Sequence, residues 1–294
     1  MQGWGRSRGI VPGIRVVTDS ACDVPQEIAT ALGIEIVSLT IRFGDDEYVD
    51  RVELSAADFW RKCATSAVLP ETAAPSAGAF RTAYERARDE GAEGIIVLTL
   101  SAALSATFQA ASVAAEAFAG DIPVTVIDTK AVTIAEGLIV IDVAEAAQRG
   151  EDLEHLTARA HSLIERVGVC AMLDTLEHLV KGGRIGGARA LLGQVLAIKP
   201  ILELKDGVVA EAGRQRTRAR ALSMVAQRAR DHVPLRRLAI VHGASPEVDT
   251  LRALIRDIGS EYPVIVTDMG PVVGTHGGPG IIGLAWIQAS ATTS

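Results

Sequence analysis

From residue 14 to about residue 150, short aliphatic and β-branched runs alternate with helical patterns, and this alternation limits the possible folds more than any other feature. It predicts βαβ units and a largely parallel sheet. Ile14-Arg-Val-Val-Thr18 reads as a strand ending in Asp19-Ser20, a helix starts at Pro25, and Ile34–Ser38 is a second strand. Leu39–Val49, broken by Gly44-Asp-Asp46, reads as a hairpin. Ser55-Ala-Ala-Asp58 opens a helix to about Thr65, and Ser76 caps another that ends at Gly91. Strands at Gly94–Thr99 and Val124–Ile127 enclose a helix over Leu104–Phe118, and Ile134–Arg149 is a further helix.

The second half is mixed. A helix at Leu153–Arg166 links the halves, followed by the strand Val167–Leu173 and helical pieces on either side of Lys181-Gly-Gly-Arg184. Ile198–Leu204 and Val208–Ala212 flank Lys205-Asp-Gly207, a hairpin turn signal. A long helix spans Thr217–Val233, then come the strand Leu238–His242, a helix over Pro246–Ile258, and strands at Val264–Val266, Val272–Gly274 and Ile281–Ile287. The expected class is α/β in two domains, 14–160 with a largely parallel sheet and 161–294 with a mixed one, after a flexible tail at 1–13.

With 294 residues, 48% of them hydrophobic, the chain can bury a full core. Its net charge of −7 provides no basic field for nucleic acid or an anionic membrane surface. Cys22, Cys63 and Cys170 form no C-x-x-C pair, so neither a disulfide framework nor a zinc site is expected, and a reducing cytoplasm fits. The basic start lacks the apolar stretch of a signal peptide, and no apolar run reaches membrane-spanning length. No cofactor or metal is expected. Aromatic residues are only 4%, so the core is mainly aliphatic, which suits an ordinary interior or a tunnel for a flexible hydrocarbon equally.

Several loops carry chemistry. Gly270-Pro-Val-Val-Gly-Thr-His-Gly-Gly-Pro-Gly280 sets Thr275 and His276 among glycines whose N–H groups could face an anion. The plainer reading is a glycine turn between two strands. In Glu71-Thr-Ala-Ala-Pro-Ser76, Thr72 and Ser76 precede a helix, with simple capping as the alternative for Ser76. Ser105 and its neighbour Ala106 follow a strand and open a helix, the usual ligand position at the carboxyl edge of a parallel sheet, against a plain N-cap. Lys181-Gly-Gly-Arg-Ile-Gly-Gly187 has neither G-K-[ST] nor G-x-G-x-x-G, so it reads as an exposed basic feature, Lys181 and Arg184 on a glycine turn.

Taken in order, Thr18-Asp-Ser20, Thr72-Ala-Ala-Pro-Ser76, Ser101-Ala-Ala-Leu-Ser-Ala-Thr-Phe-Gln109, Val126-Ile-Asp-Thr129, Lys181-Gly-Gly-Arg-Ile185, Ile198-Lys-Pro-Ile201 and Gly270-Pro-Val-Val-Gly-Thr-His276 resemble the DegV family of bacterial fatty-acid-binding proteins. The likeness runs from about Val16 to Ile287. It implies a lipid tunnel between the two domains, with the carboxylate of a long-chain fatty acid held at Thr72, Ser105 and His276, beside Ala106 and Thr275. It also implies no catalysis by the chain itself, and a partner fatty acid kinase that docks on Arg184 and Arg214 and phosphorylates the carboxylate. A stand-alone lipid buffer or sensor stays open. Where the family usually has Thr-Ser-Gln-Pro-Ser and Ser-Gly-Thr, this chain has Thr-Ala-Ala-Pro-Ser and Ser-Ala-Thr.

An esterase is the enzymatic rival, because His276-Gly-Gly278 is similar to a lipase oxyanion element. That element precedes a G-x-S-x-G elbow, and the chain has none. The six histidines, His155, His161 and His178 among them, form no H-E-x-x-H.

Overall fold

The computed structural model describes residues 13–118, 120–191 and 198–290. The expected tail, apart from Gly13, lies outside them. Among the described residues the first half runs β1 (Ile14–Asp19), α1 (Gln26–Leu32), β2 (Glu35–Val37), β3 (Thr40–Phe43), β4 (Asp46–Val49), α2 (Ala56–Thr65), β5 (Glu71–Ala73), α3 (Ala77–Asp89), β6 (Gly94–Thr99), α4 (Thr107–Ala117), β7 (Val124–Asp128), α5 (Ile134–Gln148) and α6 (Leu153–Ile164). The second half runs β8 (Val167–Met172), α7 (Glu177–Lys181), β9 (Lys199–Lys205), β10 (Val208–Gln215), α8 (Arg218–Arg230), β11 (Leu235–His242), α9 (Val248–Leu254), β12 (Ile265–Asp268), α10 (Pro271–Gly277) and β13 (Ile282–Gln288).

One sheet is parallel throughout, in the order β2-β1-β6-β7. The other is mixed, β10-β9-β8-β13-β11-β12, with only β11 and β12 parallel. A small antiparallel sheet has the order β4-β3-β5. This is the expected two-domain α/β architecture. In β6 every residue is buried, because both faces are covered. Ile95 and Val97 face α3 and α4, while Ile96 and Leu98 join the core around α5.

Helix α5 is the shared wall. It packs on β1 and β6 of the parallel sheet and on β8, β11 and β13 of the mixed one. A helix covered all round needs apolar residues all round, and twelve of its fifteen residues are buried. Gly137 is required at one close approach, since a Cβ there would run into the Cys22 carbonyl oxygen. Asp142, fully buried on α5, accepts from Arg236 Nε at 2.7 Å and Arg237 Nε at 3.0 Å, both on β11, and from Arg159 Nη1 at 3.3 Å. Burial alone would push the Asp142 carboxyl up, but the hydrogen bonds from Arg236 and the charge of Arg237 hold it below its ordinary value.

The structure departs from the sequence reading at several elements, among them the helix expected over Pro246–Ile258, which spans only Val248–Leu254. Val272–Gly274, expected as a strand, lies inside α10: Pro271 occupies its first turn, and Gly274 N donates to Gly270 O at 2.9 Å. The valine pair favours a strand locally, yet packing decides, because a Cβ on Gly274 would come within 2.7 Å of Phe59 and 2.8 Å of Trp60 on α2. Thr72 sits on a short strand rather than in a loop, with Glu71–Ala73 pairing with β3. The helix expected from Leu104 starts at Thr107.

Asp142→Asn should leave the buried Arg237 and the half-buried Arg236 short of their counter-charge. The expected cost is about 3–5 kcal/mol in urea unfolding; a cost below about 1 kcal/mol would show that the Asp142 cluster does not hold α5 to β11.

Candidate functional site

A cavity of about 240 Å³ lies between the halves. The first half supplies Leu39, Thr72, Leu100, Leu104, Ser105, Ala106, Val132 and Thr133; the inner face of the mixed sheet supplies Val169, Ala171, Leu202, Leu204, Val209 and Val241. Met269, Val272, Val273, His276 and Ile281 complete much of the wall, together with Arg184. Most of this lining is aliphatic. The alternation of β8 and β9 explains part of it, since Ala171 pairs with Leu202 and both turn inward, while Met172 and Ile201 face the α8 side.

Polar groups gather where α10, β5 and the two loops before α4 and after α7 meet. Thr72 Oγ1 lies 3.1 Å from His276 Nε2, joining residues 204 apart in sequence. The other ring nitrogen, Nδ1, is buried with no hydrogen-bond partner among the described residues. Burial holds the His276 imidazole down to about 4, with the charges of Arg184 and His178 adding to the effect, so the ring is neutral at pH 7. Ser105 Oγ is 2.8 Å from Thr107 Oγ1 and accepts from Thr107 N at 3.3 Å, so the residue opens α4 and lines the cavity at once. Its backbone neighbour Ala106 lines the cavity too.

Arg184 is placed differently from the surface role the sequence suggests. It lines the cavity half-buried, donating from Nε to Leu104 O at 3.0 Å and from Nη1 to Gly182 O at 2.7 Å. Gly182 matters because a Cβ there would occupy the space of the His276 ring. Gly182 of Lys181-Gly-Gly-Arg184 thus seats an imidazole, and Lys181 alone in this run is the exposed cation, paired with Glu177 at 3.1 Å. Arg214 is exposed on β10, opposite Pro200, away from the cavity lining.

Thr275 is not brought to the cavity. Its hydroxyl donates to Pro271 O at 2.8 Å inside α10, and its carbonyl accepts from His178 Nδ1 at 3.1 Å. Nor do the glycine N–H groups of this segment converge on an anion: Gly274 and Gly278 bond within the helix, and Gly280 N donates to Gly243 O. Helix formation consumes the donors that a turn would have exposed. Ser76 is the N-cap of α3, accepting from Ala79 N at 3.2 Å.

The fold and site define a two-domain α/β protein with an aliphatic cavity between its sheets and a polar cluster at one part of the wall. Residues 13–289 match the family described as an uncharacterised protein of the DegV family, and the chain belongs to that family. A DegV domain-containing protein of Listeria innocua is 32% identical over 280 residues, 93% of this chain and 98% of its own. The solved structure of a fatty acid binding DegV family protein from Thermus thermophilus is 33% identical with a TM-score of 0.87, covering 94% of this chain and 100% of that one. DegV of Bacillus subtilis, described as a fatty acid binding protein, is 28% identical with a TM-score of 0.81, covering 95% and 100%.

The pH response of His276 has a definite sign. Its folded pKa lies below the ordinary value near 6.5, so the unfolded chain takes up a proton first as pH falls. The contribution is fully present above about pH 6.5 and is lost as pH falls towards 4. Relative to His276→Gln, the wild type should lose about 3 kcal/mol over that window in unfolding measured at successive pH values. Parallel stability profiles would show that the ring is not buried neutral.

Proposed function

We propose that this protein binds a long-chain fatty acid, with the tail along the aliphatic wall and the carboxylate at Thr72, Ser105 and His276. The observation that carries this reading is the pairing of one polar cluster with an otherwise aliphatic cavity, the shape of demand made by a single anionic group on a long hydrocarbon. Fatty acid binding by the Thermus and Bacillus relatives supports it. Burying about fourteen methylenes yields on the order of 11 kcal/mol before ordering costs, so the tail supplies affinity. The hydroxyls, the imidazole and the Arg184 guanidinium set orientation, because a desolvated carboxylate without donors would be expelled or protonated.

Hydrolysis fits less well. An imidazole held near 4 is a poor general base at neutral pH, and His276 Nδ1 has no carboxylate to orient it among the described residues. Protein purified from bacteria without detergent should release about one long-chain fatty acid per chain, identified by mass spectrometry. Thr72→Ala and Ser105→Ala should each weaken retention several-fold while thermal unfolding stays close to wild type. No lipid in the extract, or ester turnover abolished by His276→Ala, overturns the reading.

The finer proposal is that the bound carboxylate is presented to a separate kinase for acyl-phosphate formation. Arg214 supports it, being exposed with no ion-pair partner for its side chain among the described residues. Arg184 acts on the carboxylate side in this reading, so the two arginines separate. With a kinase supplied, Arg214→Ala should slow acyl-phosphate formation and keep its lipid, whereas Arg184→Ala should lose lipid and activity together. If the Arg214 variant also loses lipid, docking is not its role, and if no kinase acts on the loaded wild type the stand-alone buffer is the better account.

A further inference from the structure

The end of β1 holds three buried hydrogen-bond acceptors within the five residues Asp19–Asp23, and none of them lines the cavity. Asp19, Ser20 and Asp23 are 0%, 1% and 3% exposed. Each accepts a backbone N–H from a different distant segment. Ser20 Oγ accepts from Leu39 N at 3.0 Å, at the start of β3. Asp19 Oδ2 accepts from Leu100 N at 2.8 Å, where β6 runs into the next loop. Asp23 Oδ1 accepts from Gly270 N at 2.9 Å, at the start of α10.

The three segments share one property. Strand β3 pairs Ile41 with Thr72. The loop after Leu100 leads directly to Ser105. Helix α10 carries His276 in its last turn. Leu39 and Leu100, two of the donors, and Met269, next to the third, all line the cavity. We infer that Asp19, Ser20 and Asp23 are positioning residues, one for each of the three head-group contacts, Ser20 for Thr72, Asp19 for Ser105 and Asp23 for His276. This inference rests on the carboxylate site proposed above.

The local chemistry matches a positioning role. Asp19 uses both oxygens as acceptors, Oδ1 taking Ala21 N at 3.0 Å, and Asp23 Oδ2 takes Thr133 Oγ1 at 2.5 Å at the start of α5. Thr133 has φ 55, a strained value for a β-branched residue, and the Asp23 bond helps hold it there. Asp23 itself has φ 49, which aspartate tolerates, and its main-chain oxygen accepts from Thr267 Oγ1 at 3.0 Å. Gly270 is the residue that permits the approach, since a Cβ there would lie 2.7 Å from Asp23 Oδ1. Burial pushes both aspartates up to about 7 against the lowering effect of these hydrogen bonds. The other ionisable groups facing them are Cys22, Asp50, Arg51 and Glu136.

Double-mutant cycles on the full chain test the assignment, read as affinity for palmitate labelled with ¹³C at its carboxyl carbon. Ser20→Ala, Asp19→Asn and Asp23→Ala should each weaken binding about tenfold. Each should be non-additive with its own partner, Thr72→Ala, Ser105→Ala or His276→Ala; Asp19→Asn should be additive with Thr72→Ala and His276→Ala, while Ser20 and Asp23 share coupling through the Thr72–His276 hydrogen bond. Asp23→Asn should restore binding, because its amide oxygen can take Gly270 N while its NH₂ donates to Thr133 Oγ1. Additivity in the partnered pairs overturns the inference; should Asp23→Ala not fold, the other two cycles decide alone. A ligand-free arm separates this from the functional reading. The NMR signals of the His276 ring in the empty protein should move in Asp23→Ala and stay put in Asp23→Asn and in Asp19→Asn. If wild type takes up no palmitate, the proposed function has failed, and the ring signals still decide whether Asp23 positions His276.

Discussion

Everything in this molecule depends on one helix having no side that faces water. Helix α5 is claimed by both sheets, so its sequence must be apolar in every direction, and the sheets are held at a separation set by its diameter. The cavity exists because that filling is incomplete. Where α5 starts, at Thr133, the wall between the sheets passes from helix to loops, and the space there is lined by Val132 and Thr133 from one side and by β8 and β9 from the other. The two fully buried acids of α5 show how strictly the interior is managed. Asp142 is balanced by three arginines, while Glu136 takes Thr18 Oγ1 at 3.1 Å and is pushed well above the usual carboxylate range by burial, with neighbouring Asp19 adding to it.

Much of the architecture was legible from pattern alone. The alternation in residues 14–150 foretells a largely parallel sheet, and the strand expected at Gly94–Thr99 is present, its aliphatic stretch Ile95–Leu98 buried on both faces. The hairpin at Lys205-Asp-Gly207 is present with Asp206 at φ 52 and Gly207 at φ 79, the left-handed pair that a two-residue turn of this kind needs. Val272–Gly274 misled because local propensity measures only the chain's own preference. The decisive fact was two aromatic rings on α2, more than two hundred residues earlier, that leave room for a glycine on a helix and for nothing larger.

The candidate site was legible in part, and the division follows physical range. Thr72, Ser105 and His276 could be picked out of the sequence as polar groups, and all three line the cavity, although Thr72 lies on a strand and His276 on a helix where loops were expected. Arg184 could not, because nothing local to Lys181-Gly-Gly-Arg184 indicates that an imidazole from α10 fills the space over Gly182. Thr275 failed for the opposite reason: helix formation gave its hydroxyl a carbonyl one turn back, a partner that a loop would not have offered. The turn at Asp19–Asp23 was visible only as part of a strand end, since its partners lie at Leu39, Leu100 and Gly270.

The two ends of the cavity differ in how much they can give. Around His276 the geometry is fixed by backbone hydrogen bonds and by glycines with no spare volume, Gly182 beneath the ring and Gly274 and Gly277 along the helix. Elsewhere the wall is mostly leucine and valine, held by side-chain packing and not by backbone hydrogen bonds. A binding space built this way is stiff at one end and compliant at the other. On the proposed reading, straight and bent hydrocarbon tails would share a single anchored carboxylate, and variation among ligands would be absorbed by side-chain rearrangement without moving the backbone.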